Sequence, residues 1–341
     1  MKINVGDLRA LCAGVLTNAG MPEAEAEIFS EMLVHADRRG VRSHGVMAFE
    51  RYVSLIENGN MAKKFKYTAV ADNPAIAVWD AHRSCGHVSG YYAMKEAIKK
   101  AGTYGIGFVG VRNSSHFGAG AYYSLQAAEA GMIGIVSSTA GPTMAPWGGK
   151  ERKIGNNPLS LSAPASKHPV VTLDMAQSVV AMGKINIYRN QGIEALPAGW
   201  AFDKDGNPTE KTEDAYSVVP IAAYKGFGLS LFIDIISGIL IGGATGERCG
   251  DAASGPSHTF AAIEPSAFGL ALDEFKKQLG DRIDEFKSSP KKDGVDQIYM
   301  PGEPEEINYA NAQNEVEVYG DVIEQLNALA NRYGCKPLAA V

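Results

Sequence analysis

Gly105-Ile106-Gly107-Phe108-Val109-Gly110 spells the glycine pattern that opens many dinucleotide-binding domains, and its neighbours decide what it means here. Such a fingerprint leaves a strand and starts a helix, so that the helix N-terminus can receive a pyrophosphate. In this chain the order is reversed. A helical pattern over Tyr91 to Ala101 precedes the glycines, and a strand-like run, Gly107 to Val111, follows them. The glycines read as the end of a helix and the entry to a sheet. Any dinucleotide site must therefore be built without the usual βαβ signature.

Working outward, the N-terminal region is helical. Leu8, Leu11, Val15 and Leu16 share a face before the stop at Gly20. Pro22 opens a second helix with Glu23, Glu25 and Glu27 in its first turns, ending near Gly40. A third is expected from about Ser43 to Asn58, closed by Gly59. From about Thr68 short β-rich runs appear: Ile76 to Trp79, Ile133 to Ser137, Leu159 to Ala163, Val170 to Leu173 and Thr259 to Ile263. The apolar run Phe227 to Ile241, with Asp234 inside it, is shorter than a bilayer span and reads as a buried helix. Ala267 to Phe286 and Asp321 to Tyr333 return to helix, with Ser288 to Glu306 mostly loop between them. The expected class is mixed α+β. Residues 1–67 plus 268–341 form a helical domain from both chain ends, and 68–267 an inserted α/β domain.

Composition narrows the function. A formal net charge of −6 and the lack of a long basic run argue against a nucleic-acid partner. The four cysteines are far apart and make no CxxC pair, and no apolar leader follows Met1, so a reduced cytoplasmic protein is expected, with no membrane partner. No phosphate-binding GxxxxGK, no GxSxG elbow and no HxxxH metal pair is present.

Two histidines stand out. His44, in Arg42-Ser43-His44-Gly45, sits where one helix has ended and the next begins, and its near-neutral pKa suits proton transfer. His116, in Asn113-Ser114-Ser115-His116-Phe117-Gly118-Ala119-Gly120, leaves a strand end into a glycine-rich bend, a usual place for ligand contacts. For each, capping or core hydrogen bonding is the competing explanation. Asp174, in Leu173-Asp174-Met175-Ala176, ends an apolar strand. Lys225, in Tyr224-Lys225-Gly226-Phe227-Gly228-Leu229, stands at a helix start, against the dipole, where an anionic partner would explain it.

Taken in order, the stretch Asp37 to Gly45, Ser115 to Gly118, Ala145-Pro146-Trp147-Gly148-Gly149, Gly155 with Asn157-Pro158, Leu173 to Ala176, Pro197 to Trp200, Lys225 to Leu229 and Tyr299-Met300-Pro301-Gly302 resemble the malate/L-lactate dehydrogenase family that is unrelated to the Rossmann enzymes of the same name. That family includes ureidoglycolate and sulfolactate dehydrogenases, a diketogulonate reductase and a piperideine-2-carboxylate reductase. The resemblance covers nearly the whole chain. It implies a non-Rossmann dehydrogenase fold, a homodimer with the active site near the subunit boundary, and hydride exchange between NAD, or NADP, and a small 2-oxo or 2-hydroxy acid.

Residue by residue, the resemblance makes His44 the proton donor with Ser43 beside it, and Asp174 both a carboxylate that orients the histidine and a cofactor contact. Met175, Ala176, Tyr224, Lys225, Gly302, Glu303 and Pro304 match further cofactor positions, and His116 matches a residue lining the substrate and nicotinamide site. No metal is implied. Two departures fall in regions expected to touch substrate: Ala48 stands where the family commonly has arginine, and Asn156 where it usually has threonine. Arg51 and Arg42 are the available substitutes for the missing charge. An alternative reading is a reductase of a cyclic imine or other carbonyl compound. A metal-dependent hydrolase and a non-catalytic binding protein are the readings from other classes.

Overall fold

The computed structural model describes residues 1–251 and 254–339. Strand β1 (Lys2–Asn4) leads into helix α1 (Val5–Asn18), whose first N–H groups are capped by the Asn4 side chain. Helix α2 (Glu23–Arg38) follows. The single helix expected from Ser43 is instead two 3-10 turns, Arg42–His44 and Val46–Ala48, before α3 (Phe49–Glu57). Gly45 is extended between the turns, and the Asp37 carboxylate takes the N–H of Val46, so a continuous helix cannot form there.

Next come β2 (Thr68–Asp72), β3 (Ile76–Asp80), α4 (Gly86–Tyr104), β4 (Ile106–Arg112), α5 (Gly120–Glu129), β5 (Ile133–Ser138), β6 (Leu159–Ala163), β7 (Val171–Met175) and α6 (Met182–Asn190). Short strands β8 (Ala201–Phe202), β9 (Pro208–Thr209) and β10 (Ser217–Val218) form a small sheet of their own. The chain continues through α7 (Tyr224–Ile233), β11 (His258–Ile263), α8 (Leu272–Lys287), α9 (Glu303–Asn311), β12 (Glu315–Glu317) and α10 (Gly320–Arg332). Helix α5 has buried residues all round, which blurs the periodicity that would have announced it. Helix α9 begins inside the stretch read as loop: Gly302 at φ +80° precedes Pro304 and three glutamates, a start made by termini chemistry rather than by an apolar stripe.

The seven-stranded sheet has the order β2-β3-β4-β11-β5-β6-β7, and β3–β4 is its one parallel pair. A doubly wound parallel sheet is thereby excluded, as the reversed glycine context implied. Gly105 closes α4 in the left-handed region at φ +85°. Gly107 lets α4 lie on β4: a Cβ there would sit 1.9 Å from the Ala97 carbonyl oxygen.

One hydrophobic core joins both chain ends through Leu8, Leu16, Phe29, Phe49, Val322 and Leu326. A second fills the space between the sheet and α4 and α5, with Met94, Val109, Tyr123 and Phe260. A third lies under the small sheet, with Met144, Ile185 and Val218. Helix α8, grouped from sequence with the terminal helices, rests on the β6–β7 turn, where Lys276 accepts the N–H of Ser166 and Asp284 meets His168 at 2.7 Å.

The apolar run read as a buried helix is a correction. Helical residues Tyr224–Ile241 are long and apolar enough to cross a membrane by length and composition, but they are not buried all round. The stretch changes pitch, with a π turn over Asp234–Gly238 and a 3-10 turn over Ile239–Ile241. Its inner face is polar: Ser237 bonds Ser137 and Thr259, and Asp234 accepts from Asn157. Its outer face is apolar and open, with Phe232 63%, Ile239 63% and Leu240 68% exposed. Hydropathy alone cannot tell which face of such a helix meets protein.

Gly107→Ala is expected to destabilise the fold by about 3 kcal/mol or more, because the added methyl meets backbone rather than a movable side chain. Gly183→Ala on α6, where a Cβ meets nothing within 4 Å, should instead be neutral or stabilising by about 0.5–1 kcal/mol. Thermal or denaturant unfolding of the two variants checks the contrast.

Candidate active site

His44 sits at the end of the first 3-10 turn, half-buried, with its Nδ1 2.9 Å from the Ser43 hydroxyl. Burial lowers its pKa from the ordinary imidazole value. The turn is fixed from α2. Asp37 accepts the Val46 N–H at 2.8 Å, and a Cβ at Gly45 would lie 2.0 Å from its Oδ1. Burial pushes the Asp37 carboxyl up to about 7, against the opposing pull of the Val46 N–H and Arg42.

His116 faces His44 from the sheet side, ring centroids 5.7 Å apart and 25° from parallel. Its loop leaves β4 and is pinned at each residue. The Ser115 hydroxyl accepts the Gly86 N–H (2.9 Å) and donates to the Ser84 carbonyl (3.2 Å), and His258 Nε2 donates to the Ser115 carbonyl (2.9 Å). The Tyr123 hydroxyl donates to the Phe117 carbonyl. On the His116 ring itself, Nδ1 meets the Tyr52 hydroxyl at 2.7 Å and the Gly118 N–H at 3.3 Å. Burial, with His44, His87 and Arg51 nearby, lowers the His116 pKa well below the usual range.

The same loop runs on into α5, where the Asp174 carboxylate at the end of β7 accepts the Ala121 N–H at 2.9 Å and caps a helix that has no cap of its own. Protein packed around that carboxyl pushes its pKa up to about 6, with Glu305 adding to the rise. One side of the residue remains exposed. Among the described residues no hydrogen bond or ion pair joins Asp174 to His44. Ser43, and not Asp174, makes the hydrogen bond to the His44 ring, because β7 delivers the carboxylate to α5.

Beyond Asp174 the chain forms a strip. Met175 and Ala176, half-buried, are followed by Gln177, whose N–H goes to the Asn156 carbonyl and whose own carbonyl accepts the Ile221 N–H. A Cβ at Gly226 would lie 2.7 Å from the Gln177 carbonyl oxygen, so Tyr224 and Lys225 are held beside this strip, both exposed. They follow Ala222 and Ala223, two alanines at positive φ (45° and 59°), a strain that persists only where surroundings enforce it. Gly302 packs on Thr172 of β7. The Gln177 amide is fully buried with neither its nitrogen nor its oxygen partnered. An orphaned amide, an exposed lysine and a strained turn along one strip fit an elongated polar group with anionic parts.

The other candidates sort by geometry. Asn156, half-buried, contributes its backbone to the strip, while the fully buried Asn157 ties the loop after β5 to α7 through Ala140, Ser230 and Asp234. The Glu303 carboxylate is bonded to Lys287 (2.7 and 2.8 Å), Gln297 and the Met300 N–H, and so anchors the start of α9. Pro304, exposed, is in the first turn of that helix. Arg42 is held by Glu317 at 2.9 Å and lies over the Tyr319 ring. Arg51 is exposed, enters no ion pair among the described residues, and its charge acts on His116 and Tyr52. Of the two arginines, only Arg51 is available to an anion. Sequence reasoning missed Tyr52, which reads as core beside Phe49, Val53 and Ile56, and His258, hidden at a strand start. No cluster of His, Cys, Asp and Glu suited to a metal occurs among the described residues.

Known proteins share this architecture. The chain is 40% identical over 338 residues to a malate dehydrogenase of Pyrococcus horikoshii, covering 95% of this chain and 93% of that one. It is 32% identical over 333 residues to a ureidoglycolate dehydrogenase (NAD(+)) of Escherichia coli, covering 96% and 95%. The solved sulfolactate dehydrogenase of Methanocaldococcus jannaschii superposes with a TM-score of 0.91 at 35% identity, over 98% of both chains. Residues 3–327 match the family described as malate/L-lactate dehydrogenase, and with the fold and the two facing histidines already in place, this chain belongs to that family of 2-hydroxy-acid oxidoreductases.

Proposed function

We propose that this protein interconverts a small 2-oxo acid and its 2-hydroxy acid, with NAD as the hydride partner and His44 as the acid–base group. The observation that carries the reading is the pair of facing imidazoles, His44 and His116, with the unpaired Arg51 beside them and the polar strip leading away. A bound nicotinamide would supply the hydride for reduction and take it up in oxidation. Arg51 holds the substrate carboxylate, taking the place left by Ala48, and His116 and Asn156 complete the substrate surround. Ser43 occupies His44 Nδ1, which leaves Nε2 to pass the proton to the developing alkoxide. Asp174, Met175, Ala176, Tyr224, Lys225 and the backbone of Gly302 border the cofactor. Residues 1–67 with 268–341 bring His44, Arg51 and Gly302 to the site, and 68–267 bring His116 and the rest of the strip.

NAD is favoured over NADP because Glu305, in the first turn of α9, enters no ion pair among the described residues and acts on Asp174, whereas Glu303 and Glu306 are taken up by Lys287 and Arg39. A 2′-phosphate would add like charge to that end of the strip. The similarity to a ureidoglycolate dehydrogenase (NAD(+)) points the same way. All four cysteines are free thiols, in keeping with a reducing cytoplasm. The apolar outer face of α7 and the turns after it suits a second copy of the chain, since it carries no charge between Leu229 and Leu240 apart from the inward Asp234.

His44→Ala is expected to lower kcat/KM for 2-oxo acid reduction by about a hundred- to ten-thousandfold, followed by cofactor absorbance over a panel of 2-oxo acids and cyclic imines. Turnover of imines with no 2-oxo acid accepted would overturn the substrate class. Because burial lowers the His44 pKa, the imidazolium needed for reduction is lost as pH rises through a value below 6.5. Reduction should therefore fall across that range, while oxidation of the hydroxy acid, which needs neutral His44, rises and levels off. KM for NADH should be at least tenfold below that for NADPH; equal values reject the role given to Glu305. Phe232→Glu should convert a dimer to monomer in analytical ultracentrifugation, and a wild-type monomer would rule out the second copy.

A further inference from the structure

Tyr52 is 1% exposed on α3, and its ring is wedged edge-on against Phe29 (5.2 Å between centroids) and His87 (5.0 Å). Its hydroxyl lies 2.7 Å from His116 Nδ1, and the Gly118 N–H approaches the same nitrogen at 3.3 Å. A backbone N–H can only donate, so Nδ1 must present its lone pair. With Nδ1 an acceptor, the phenol donates as well.

We propose that Tyr52 is a positioning residue that locks His116 as its neutral Nε2–H tautomer, so that His116 meets the substrate as a hydrogen-bond donor and takes no part as an acid–base group. This assignment rests on the proposed reaction for its functional meaning, but the tautomer is a property of the free protein.

The surroundings support the lock. Gly118 sits at φ +77°, where a Cβ would come 2.6 Å from His87 Nε2, so the loop is held close behind His116. The titratable groups acting on His116 are His44, His87, Arg51 and His258, with Tyr52 itself and, behind it, Cys85. None is a carboxylate that would stabilise an imidazolium. His44 differs in one respect. Its Nδ1 faces a serine hydroxyl, which can donate or accept, so its ring is free to change protonation state. The Gly118 N–H cannot accept and so denies His116 that freedom, while the phenol, at 2.7 Å, donates to the same lone pair. Two imidazoles in one pocket thus acquire separate tasks.

The test uses full-length protein labelled with 15N at its seven histidines and long-range 1H–15N correlation, with His116→Asn for assignment. His116 should show an unprotonated Nδ1, a protonated Nε2 and no titration between pH 5.5 and 8 (range chosen about the ordinary value near 6.5). An Nδ1–H tautomer or an imidazolium at pH 7 overturns the proposal, whether or not any 2-oxo acid proves to be a substrate. In Tyr52→Phe only the 3.3 Å Gly118 contact remains on Nδ1, so the His116 Nδ1 resonance should shift, the Nδ1–H tautomer should gain population and kcat should fall about tenfold or more, with KM for the cofactor unchanged. An unchanged His116 spectrum in that variant also overturns it. Should Tyr52→Phe not fold, the wild-type spectrum alone decides.

Discussion

The contact between α4 and β4 at Gly107 governs where everything else in the site can be. Because residue 107 has no side chain, the helix backbone at Ala97 comes to within van der Waals distance of the strand. The helix is then committed along its whole length, and its first residue, Gly86, lies under the loop that leaves β4. A Cβ at Gly86 would fall 2.2 Å from the Ser115 carbonyl oxygen, and the Gly86 N–H is the donor to the Ser115 hydroxyl. One close-packed helix therefore clamps the strand at one end and the His116 loop at the other. Close packing of this sort transmits position with little give, which a hydrogen-bonded histidine needs if its partner across the cleft is to meet it at a fixed distance.

The electrostatics divide along the site. At one end, imidazoles are crowded into a region with no carboxylate bonded to them, and burial lowers His44, His87, His116 and His258, the last to about 4. At the other end carboxyls dominate, with Asp174 pushed up to about 6. Packed protein lowers the imidazoles and raises the carboxyl, with neighbouring charges adding to both, so that each shift favours the neutral form. Beside this pocket the charge of Arg51 is unpaired among the described residues.

Helix α7 inverts the usual arrangement of a surface helix. Ser230 and, in the turn that follows, Asp234 and Ser237 face inward and bond Gly155, Asn157, Ser137 and Thr259, while leucine, isoleucine and phenylalanine face outward. The π turn widens the helix at Asp234, allowing that carboxylate to reach Asn157 and so couple α7 to the loops after β5 and before β6. The polar inner face and the apolar outer face together explain why a hydropathy reading placed this segment in a core.

The sequence by itself determined the fold class, because helix-then-glycine-then-strand cannot be a dinucleotide fingerprint, and the strand from Leu159 to Ala163 and the helices at both ends carry clear local patterns. It also singled out His44, His116 and Asp174, whose neighbours are unusual for core residues. Only the tertiary structure decided which groups serve which neighbour. Asp174 goes to the N-terminus of α5 and not to His44, Glu303 is spent on Lys287, Arg42 is spent on Glu317, and Tyr52 turns from core filler into the partner of His116. The physical reason is that a side chain's chemistry is written locally, whereas its hydrogen-bond partner is set by packing between elements far apart in sequence, 64 residues in the case of Tyr52 and His116.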